Sequence, residues 1–335
     1  MHPDYQDLSD RAEQAFLQGQ LDFTLTLRRE ALSFASIYCA EDSVEYVHAL
    51  HGLASILIDH HQFHEAESHL NTALSLLGER AEGIEALLMM SEIRLHQGKL
   101  QSALDLLHKA KSWIEQFLPS YEASFLTIEL ERNWAWYYEA REDFETALQH
   151  YQSALELSLQ EDDDALLLPI YSELGLCEMK LERLEEALHH LSLALELAQK
   201  RFDAPHPEIA NSHYDMAQIY LELQQFDHAK EHIQSALRMN EAVFTLPHMV
   251  VARDYALYGE VCFECEELEQ AEQMLQQSLS ILETCHPDGC LEMAQVFELL
   301  SDVYEETDRL EQAQTLRDYA EALYKRFDAD RDSSL

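Results

Sequence analysis

Apolar residues recur along this chain three and four positions apart, the spacing that lines one face of an α-helix. These stretches come in pairs separated by a short polar turn, and the pair occurs eight times. The copies align on one small residue of the second predicted helix: Thr24, Ala66, Ala103, Ala147, Ala187, Ala229, Ala271 and Ala313, spaced 42, 37, 44, 40, 42, 42 and 42 residues apart. Seven positions after this alignment residue stands another small one: Ala31, Ala73, Ala110, Ala154, Ala194, Ala236, Ser278 and Ala320. Three positions before it stands a large apolar one: Leu21, Phe63, Leu100, Phe144, Leu184, Phe226, Leu268 and Leu310. Small residues seven apart share a helix face and let a neighbouring helix approach closely. The large apolar residue is expected to plug the turn, and Tyr138, Tyr151, Leu174, Tyr220, Ile233, Tyr258, Leu275 and Tyr304 are expected in the core.

Runs such as HQGKLQSALDLLHKA (96–110), REDFETALQHYQSALEL (141–157) and LQQFDHAKEHIQSAL (223–237) carry this pattern most fully. On these residues the chain resembles the tetratricopeptide repeat family over about residues 5–325. The spacing near 42, with His206-Pro207-Glu208 and His286-Pro287-Asp288 ahead of first helices, is similar to the long-helix repeats of kinesin light chains. Those repeats usually carry an Asn-Asn pair in the first helix, where this chain keeps only Asn133. The resemblance implies an all-α fold, a right-handed superhelical solenoid of about eight helix-turn-helix repeats. The expected organisation is an extension over 1–4, one array over 5–327 and a disordered tail over 328–335. Few glycines and prolines interrupt it (8 and 7), and Pro119, Pro205 and Pro207 fall in predicted loops or helix starts. The run Glu161-Asp162-Asp163-Asp164 marks a loop between the fourth and fifth copies. The last copy reads as a cap, with Arg317 on its second helix where other copies are apolar and Lys325 and Arg326 at its end.

Charge narrows the partners. With 64 acidic and 22 basic residues the net charge is −42, which opposes binding to phosphate backbones and anionic membrane surfaces. Acidic outer faces keep a long array in solution, and an acidic inner wall would attract a basic segment. No stretch approaches the roughly 18 apolar residues of a membrane span, and MHPDYQDLSD has neither the basic region nor the apolar core of a secretory signal. A cytoplasmic location is therefore expected. The 6 cysteines stand at irregular positions and read as reduced thiols, Cys39 and Cys177 as packing residues.

In such an array the first helices line the inner curve. The candidate partner-binding residues there are His48, His51, Ser55, Glu85, Leu88, Glu92, Arg132, Asn133, Trp136, Ser172, Leu176, Asn211, Tyr214 and Gln218. Arg132 and Trp136 lie four apart on one face, with Asn133 beside them. Such a trio suits an extended peptide: Arg132 to clamp a carboxylate, Asn133 to pair with main-chain amides, and Trp136 to give apolar area. No phosphate loop, nucleophile turn or dinucleotide signature is present, so neither an enzyme nor a cofactor is expected. His60, His61, His64 and His69 read as a solvated turn, since His64 and His69 are five apart and point off one face. Cys262 and Cys265 have CxxC spacing and are weak metal or redox candidates. Cys285 and Cys290 would lie about 20 Å away at the other end of the following helix. The leading reading is an interaction scaffold or adaptor that holds an extended peptide or helix of a partner, basic or amphipathic, in a concave groove. Two alternatives stand beside it: a peptide-responsive regulator acting by protein contact, and a thiol or metal activity at the CxxC pair. Homo-oligomerisation is open.

Overall fold

The computed structural model describes residues 2–40, 43–78, 80–118, 124–161 and 163–332, with side chains through residue 327. Among them are sixteen α-helices, one short 3₁₀ turn (Ala81–Gly83) and no strand. The helices fall into two compact units divided after Asp203, where the sequence predicts one continuous array. The first unit holds five pairs: α1 (Pro3–Leu17) with α2 (Leu21–Tyr38), α3 (Val44–Asp59) with α4 (Phe63–Leu77), α5 (Ile84–His96) with α6 (Leu100–Phe117), α7 (Ser124–Glu139) with α8 (Phe144–Glu161), and α9 (Asp164–Lys180) with α10 (Leu184–Arg201). The second holds three: α11 (Pro207–Glu222) with α12 (Phe226–Val243), α13 (Met249–Glu264) with α14 (Leu268–Cys285), and α15 (Leu291–Glu306) with α16 (Leu310–Asp332).

Every second helix begins on the large apolar residue identified above, from Leu21 to Leu310. The alignment residues are sealed: Thr24, Ala66, Ala103, Ala147, Ala187, Ala229 and Ala271 are fully buried and Ala313 nearly so. The small residues seven positions later are equally buried. Facing them is a row the sequence reading did not itemise, twelve positions before the alignment residue: Ala12, Ala54, Ser91, Ala135, Gly175, Ala217, Gly259 and Ser301. A methyl group on Gly175 would stand 2.7 Å from the Leu191 side chain, and one on Gly259 would stand 2.5 Å from that of Leu275. Leu191 and Leu275 sit four positions after the alignment residue, as do the buried Leu70, Leu107, Tyr151 and Ile233. The α9–α10 and α13–α14 pairs therefore close with one large side chain of the second helix seated on a glycine of the first, and the four other middle pairs, with buried Leu70, Leu107, Tyr151 and Ile233, repeat the same two positions.

The turns are equally regular. In every pair the residue two before the second helix has positive φ: Gly19, His61, Gly98, Glu142, Glu182, Gln224, Glu266 and Asp308. Backbone bonds such as Gln62 N–H to Leu57 O (2.8 Å) and His61 N–H to Ile58 O (2.8 Å) make a Schellman cap that satisfies the last carbonyls of the first helix. Six of the eight positions carry a side chain in a conformation that favours glycine.

The ends differ from expectation. α1 starts at Pro3, capped by the His2 ring, which accepts from Asp4 N–H at 3.3 Å, so the expected extension over 1–4 already enters the helix. The helical backbone of α16 runs on to Asp332, past the Asp328 where the tail was expected. Pro169 lies inside α9, whereas Pro119 and Asp162 are outside the described residues. Arg317 pairs with Asp302 at 3.3 Å and with Glu305, and donates to Ser301 Oγ at 3.2 Å. Within the first unit, the chain after α10 returns to α1. Phe202 packs edge-on against Phe16 at 5.9 Å, and Asp203 N–H donates to Leu17 O at 3.2 Å.

Two substitutions separate these features. Glu266→Gly relieves the left-handed strain at an exposed turn and is expected to add about 0.5–1 kcal/mol, whereas Ala229→Leu overpacks a sealed interface and should cost about 1–3 kcal/mol. Thermal melts of both variants check this; a midpoint unchanged in Ala229→Leu contradicts the packing scheme.

Candidate functional site

First helices touch their successors: α3 with α5 and α5 with α7 in the first unit, α11 with α13 and α13 with α15 in the second. At 100° per residue, positions 18, 15 and 11 before the alignment residue lie within about 60° of one another, turned away from the second helix. Apart from Asn133, which lies at offset 14, the predicted contact residues occupy these three offsets.

In the first unit that face is more internally bonded than the sequence implies. His48 is exposed and Ser55, Ser172 and Leu176 are half-buried. His51 is buried, its Nδ1 2.8 Å from Glu85 Oε2. Burial would raise the Glu85 carboxyl, but the bond and charge of His51 outweigh it and hold the group below its usual range. Leu88 is buried in the apolar core and is not a surface contact. Asn133 is buried too: its Oδ1 accepts from Ser91 Oγ at 2.9 Å and its Nδ2 donates to Glu129 O at 2.9 Å. Its amide is therefore a tie between α5 and α7, engaged internally rather than offered to a peptide. Trp136 is half-buried with its ring edge-on to His96 at 4.8 Å, while Trp134 is buried against His108.

Arg132 is the hub. Its Nη1 donates to both Glu129 oxygens at 2.8 and 2.9 Å and its Nε to Glu173 Oε2 at 2.9 Å. The guanidinium expected to clamp a partner's carboxylate is thus already shared by two carboxylates of the protein. Glu92 is left beside this group with surplus negative charge. Burial, then Asp59, Glu129 and Glu173, raise its carboxyl from 4.5 to about 7 against the pull of Arg132. Glu139, which accepts from Tyr151 Oη at 3.0 Å, is likewise raised to about 7, chiefly by burial and with a further contribution from Glu173. Glu129, Glu139 and Glu173 were missed by sequence reading, although Glu129 stands at the same offset as Glu85.

In the second unit, Asn211 Oδ1 accepts from Arg253 Nη2 at 3.1 Å, and the Arg253 guanidinium lies 3.9 Å above the Tyr214 ring. Gln218 is half-buried. Burial raises Asp215 to about 7 in spite of Arg253. Asp254, fully buried, accepts from Asn240 Nδ2 at 2.6 Å and stands at about 6. Arg253, missed by the sequence reading, has the same offset as Asn211.

The CxxC pair has little thiolate character. Cys262 is fully buried and its thiol is pushed by burial to about 12, and Cys265 is raised as well. Among the described residues no group of three or more His, Cys, Asp or Glu side chains converges on a metal position, and no helix is long and apolar enough to cross a membrane.

The sequence pattern of the tetratricopeptide repeat family matches residues 166–242, which span α9 to α12. These residues carry tetratricopeptide repeats, and the pairing of the described helices is that of about eight such units. Solved structures similar to it include BtubC (BKLC) from P. vanneervenii, at 19% identity and TM-score 0.55 over 73% of this chain and 92% of that one. The apo form of RapI matches at 15% identity and TM-score 0.61 over 84% and 99%. A Podosopora anserina protein described as a kinesin light chain with nearly identical TPR-like repeats matches at 16% identity and TM-score 0.50 over 61% and 96%. At such identities the likeness is one of fold. No curated protein sequence matches the chain. Tetratricopeptide repeats typically form protein-interaction scaffolds that bind protein or peptide partners, and no enzymatic family is evident.

The charge state of Glu92 gives a pH test. Its folded value, about 7, lies above the ordinary 4.5. Between these values the unfolded chain releases a proton that the folded repeat keeps, so stability falls as pH rises across the window. Glu92→Gln removes that penalty. The variant's gain in melting midpoint over the parent should be small near pH 4.5, grow towards pH 7 and then level off; a gain independent of pH contradicts the assignment.

Proposed function

We propose that the first-helix face of the first unit binds a basic, extended segment of a partner protein, and that the protein acts as an interaction scaffold or adaptor. The supporting observation is the imbalance around Arg132: Glu129 and Glu173 occupy its guanidinium, and burial with the neighbouring carboxylates raises Glu92 to about 7 against its pull. A lysine or arginine beside Glu92 would supply a cation, with the charge-assisted bond that a carboxylate makes best. Trp136 and Leu176 would give apolar area next to it, and His48, Ser55 and Ser172 polar edges. This reading replaces the expected Arg132 clamp for a carboxylate with the opposite polarity. Asn211, Tyr214 and Gln218 form a separate candidate face on the second unit.

A fluorescein-labelled, lysine- and arginine-rich unstructured peptide, titrated by anisotropy, tests this. Affinity should rise from pH 5 to pH 8, because binding expels the proton from a group that stands at about 7. It should fall roughly tenfold in Glu92→Gln, the scale of one charge-assisted contact. Equal affinity in parent and variant, with steep salt dependence in both, would mean that only the diffuse acidic field attracts the peptide.

A further inference from the structure

Three positions after the alignment residue, four second helices carry histidine: His69, His150, His190 and His232. Three of these face a carboxylate: His150 Nδ1 lies 2.7 Å from Glu131, His190 Nδ1 2.7 Å from Glu178, and His69 Nε2 3.9 Å from Glu65. In the α11–α12 pair the carboxylate is replaced. His232 of α12 meets His213 of α11 with the two Nδ1 atoms 3.0 Å apart.

We propose that His213 and His232 form a two-imidazole chelate for a divalent copper or nickel ion, bridging α11 and α12. A carboxylate partner holds a proton on the imidazole nitrogen facing it, which removes that nitrogen as a ligand. An imidazole partner leaves a lone pair on one of the two nitrogens and a proton on the other. As it stands the contact is an N–H···N hydrogen bond; moving its proton to Nε2 of the same ring changes the tautomer and no net charge, and a small rotation of the rings would then turn both Nδ1 lone pairs to one ion. With metal–nitrogen distances of about 2.0–2.1 Å, nitrogens 3.0 Å apart subtend about 91–97° at the ion. That is the cis angle of a square plane or octahedron, which suits copper(II) and nickel(II); tetrahedral zinc would need the nitrogens about 3.3–3.4 Å apart. No third side-chain ligand converges there among the described residues, so water or an incoming ligand would fill the remaining positions.

The surroundings keep both rings neutral and oriented. Burial, then His232 and Arg238, lower His213 to about 4 against the pull of Glu231. Burial, with His228, lowers His232, again against Glu231. The Tyr220 ring packs on His232 at 5.2 Å and on His228 at 5.1 Å.

The test is titration of the full chain with copper(II) and nickel(II) in a non-coordinating buffer near neutral pH, followed by calorimetry and, for copper, electron paramagnetic resonance. The expected result is one site whose spectrum shows two equatorial imidazole nitrogens. Its affinity should fall roughly 10–100-fold in His213→Gln and in His232→Gln and stay unchanged in His150→Gln. Copper should raise the melting midpoint of the parent and of His150→Gln but not of the other two variants. Uptake by His213→Gln and His232→Gln indistinguishable from the parent overturns the site, as does a spectrum with fewer than two nitrogens. Should one variant fail to fold, the nitrogen count in the parent and the remaining variant decide.

Discussion

The middle helix pairs are closed by one large side chain of the second helix resting on a small residue of the first, and the rest of the structure follows from that contact. Gly175 and Gly259 show how tight it is, because Leu191 and Leu275 occupy the space a methyl group would need. Dense packing at this point fixes the distance between the two helices and the rotation of the first about its own axis. Once the rotation is fixed, so are the positions that point away from the partner helix. The candidate face is therefore a by-product of the core. Both end copies place arginine where the others place the large apolar residue. Arg28 reaches Ser9 at 3.3 Å, and Arg317 reaches Ser301, the small residue of its own pair. An arginine keeps a long aliphatic stem for packing and a polar head that a serine of its own pair can bond.

The same rotation concentrates charge. Carboxylates outnumber basic side chains 64 to 22, so any face built from polar residues is acidic on average. Single exposed pairs such as Arg183 with Glu145 contribute about 0–1 kcal/mol and decide little. The cluster around Arg132 differs, since it ties α7 to α9 through Glu173, and the pull of Arg132 on Glu92 is outweighed by burial and the neighbouring carboxylates. A partly buried carboxylate among other carboxylates is a standing electrostatic cost. A ligand of opposite charge can cancel that cost, which solvent-exposed acids on the outer helices cannot offer.

The helix pairs, their starts and the buried alignment row were legible because one residue type recurs at one offset. Strict recurrence fixes register even where the first copy puts Thr24 in place of alanine. The face itself was legible only as a set of offsets. Helical period says which way a side chain leaves its own helix, not what the neighbouring helix does to it. Leu88 and Asn133 were therefore expected at the surface and are covered by adjacent helices. The Arg132–Glu173 pair joins residues 41 apart, beyond the reach of any local pattern. The positive-φ turns escaped for a related reason: glycine marks two of the eight, and the other six carry residues that do not announce the conformation. The division after Asp203 reflects the pattern of contacts between pairs, which repeat spacing does not encode.

Packing and charge meet in the first unit. The α1 end and the segment after α10 touch through Phe16 and Phe202, so its five pairs are linked at both ends as well as from neighbour to neighbour. In an open array each pair answers only to its neighbours, and a change of pitch spreads with little resistance. Joining first and last pairs makes any change at one interface a strain on the others. Glu92 and Glu139, each raised in part by Glu173, belong to this linked unit. Burial and this repulsion together bring both carboxyls to about 7, so protonation near neutral pH relieves them. On the proposed reading, a face linked in this way would trade the adaptability of an open array for preorganisation, with its carboxylates in position for a cation.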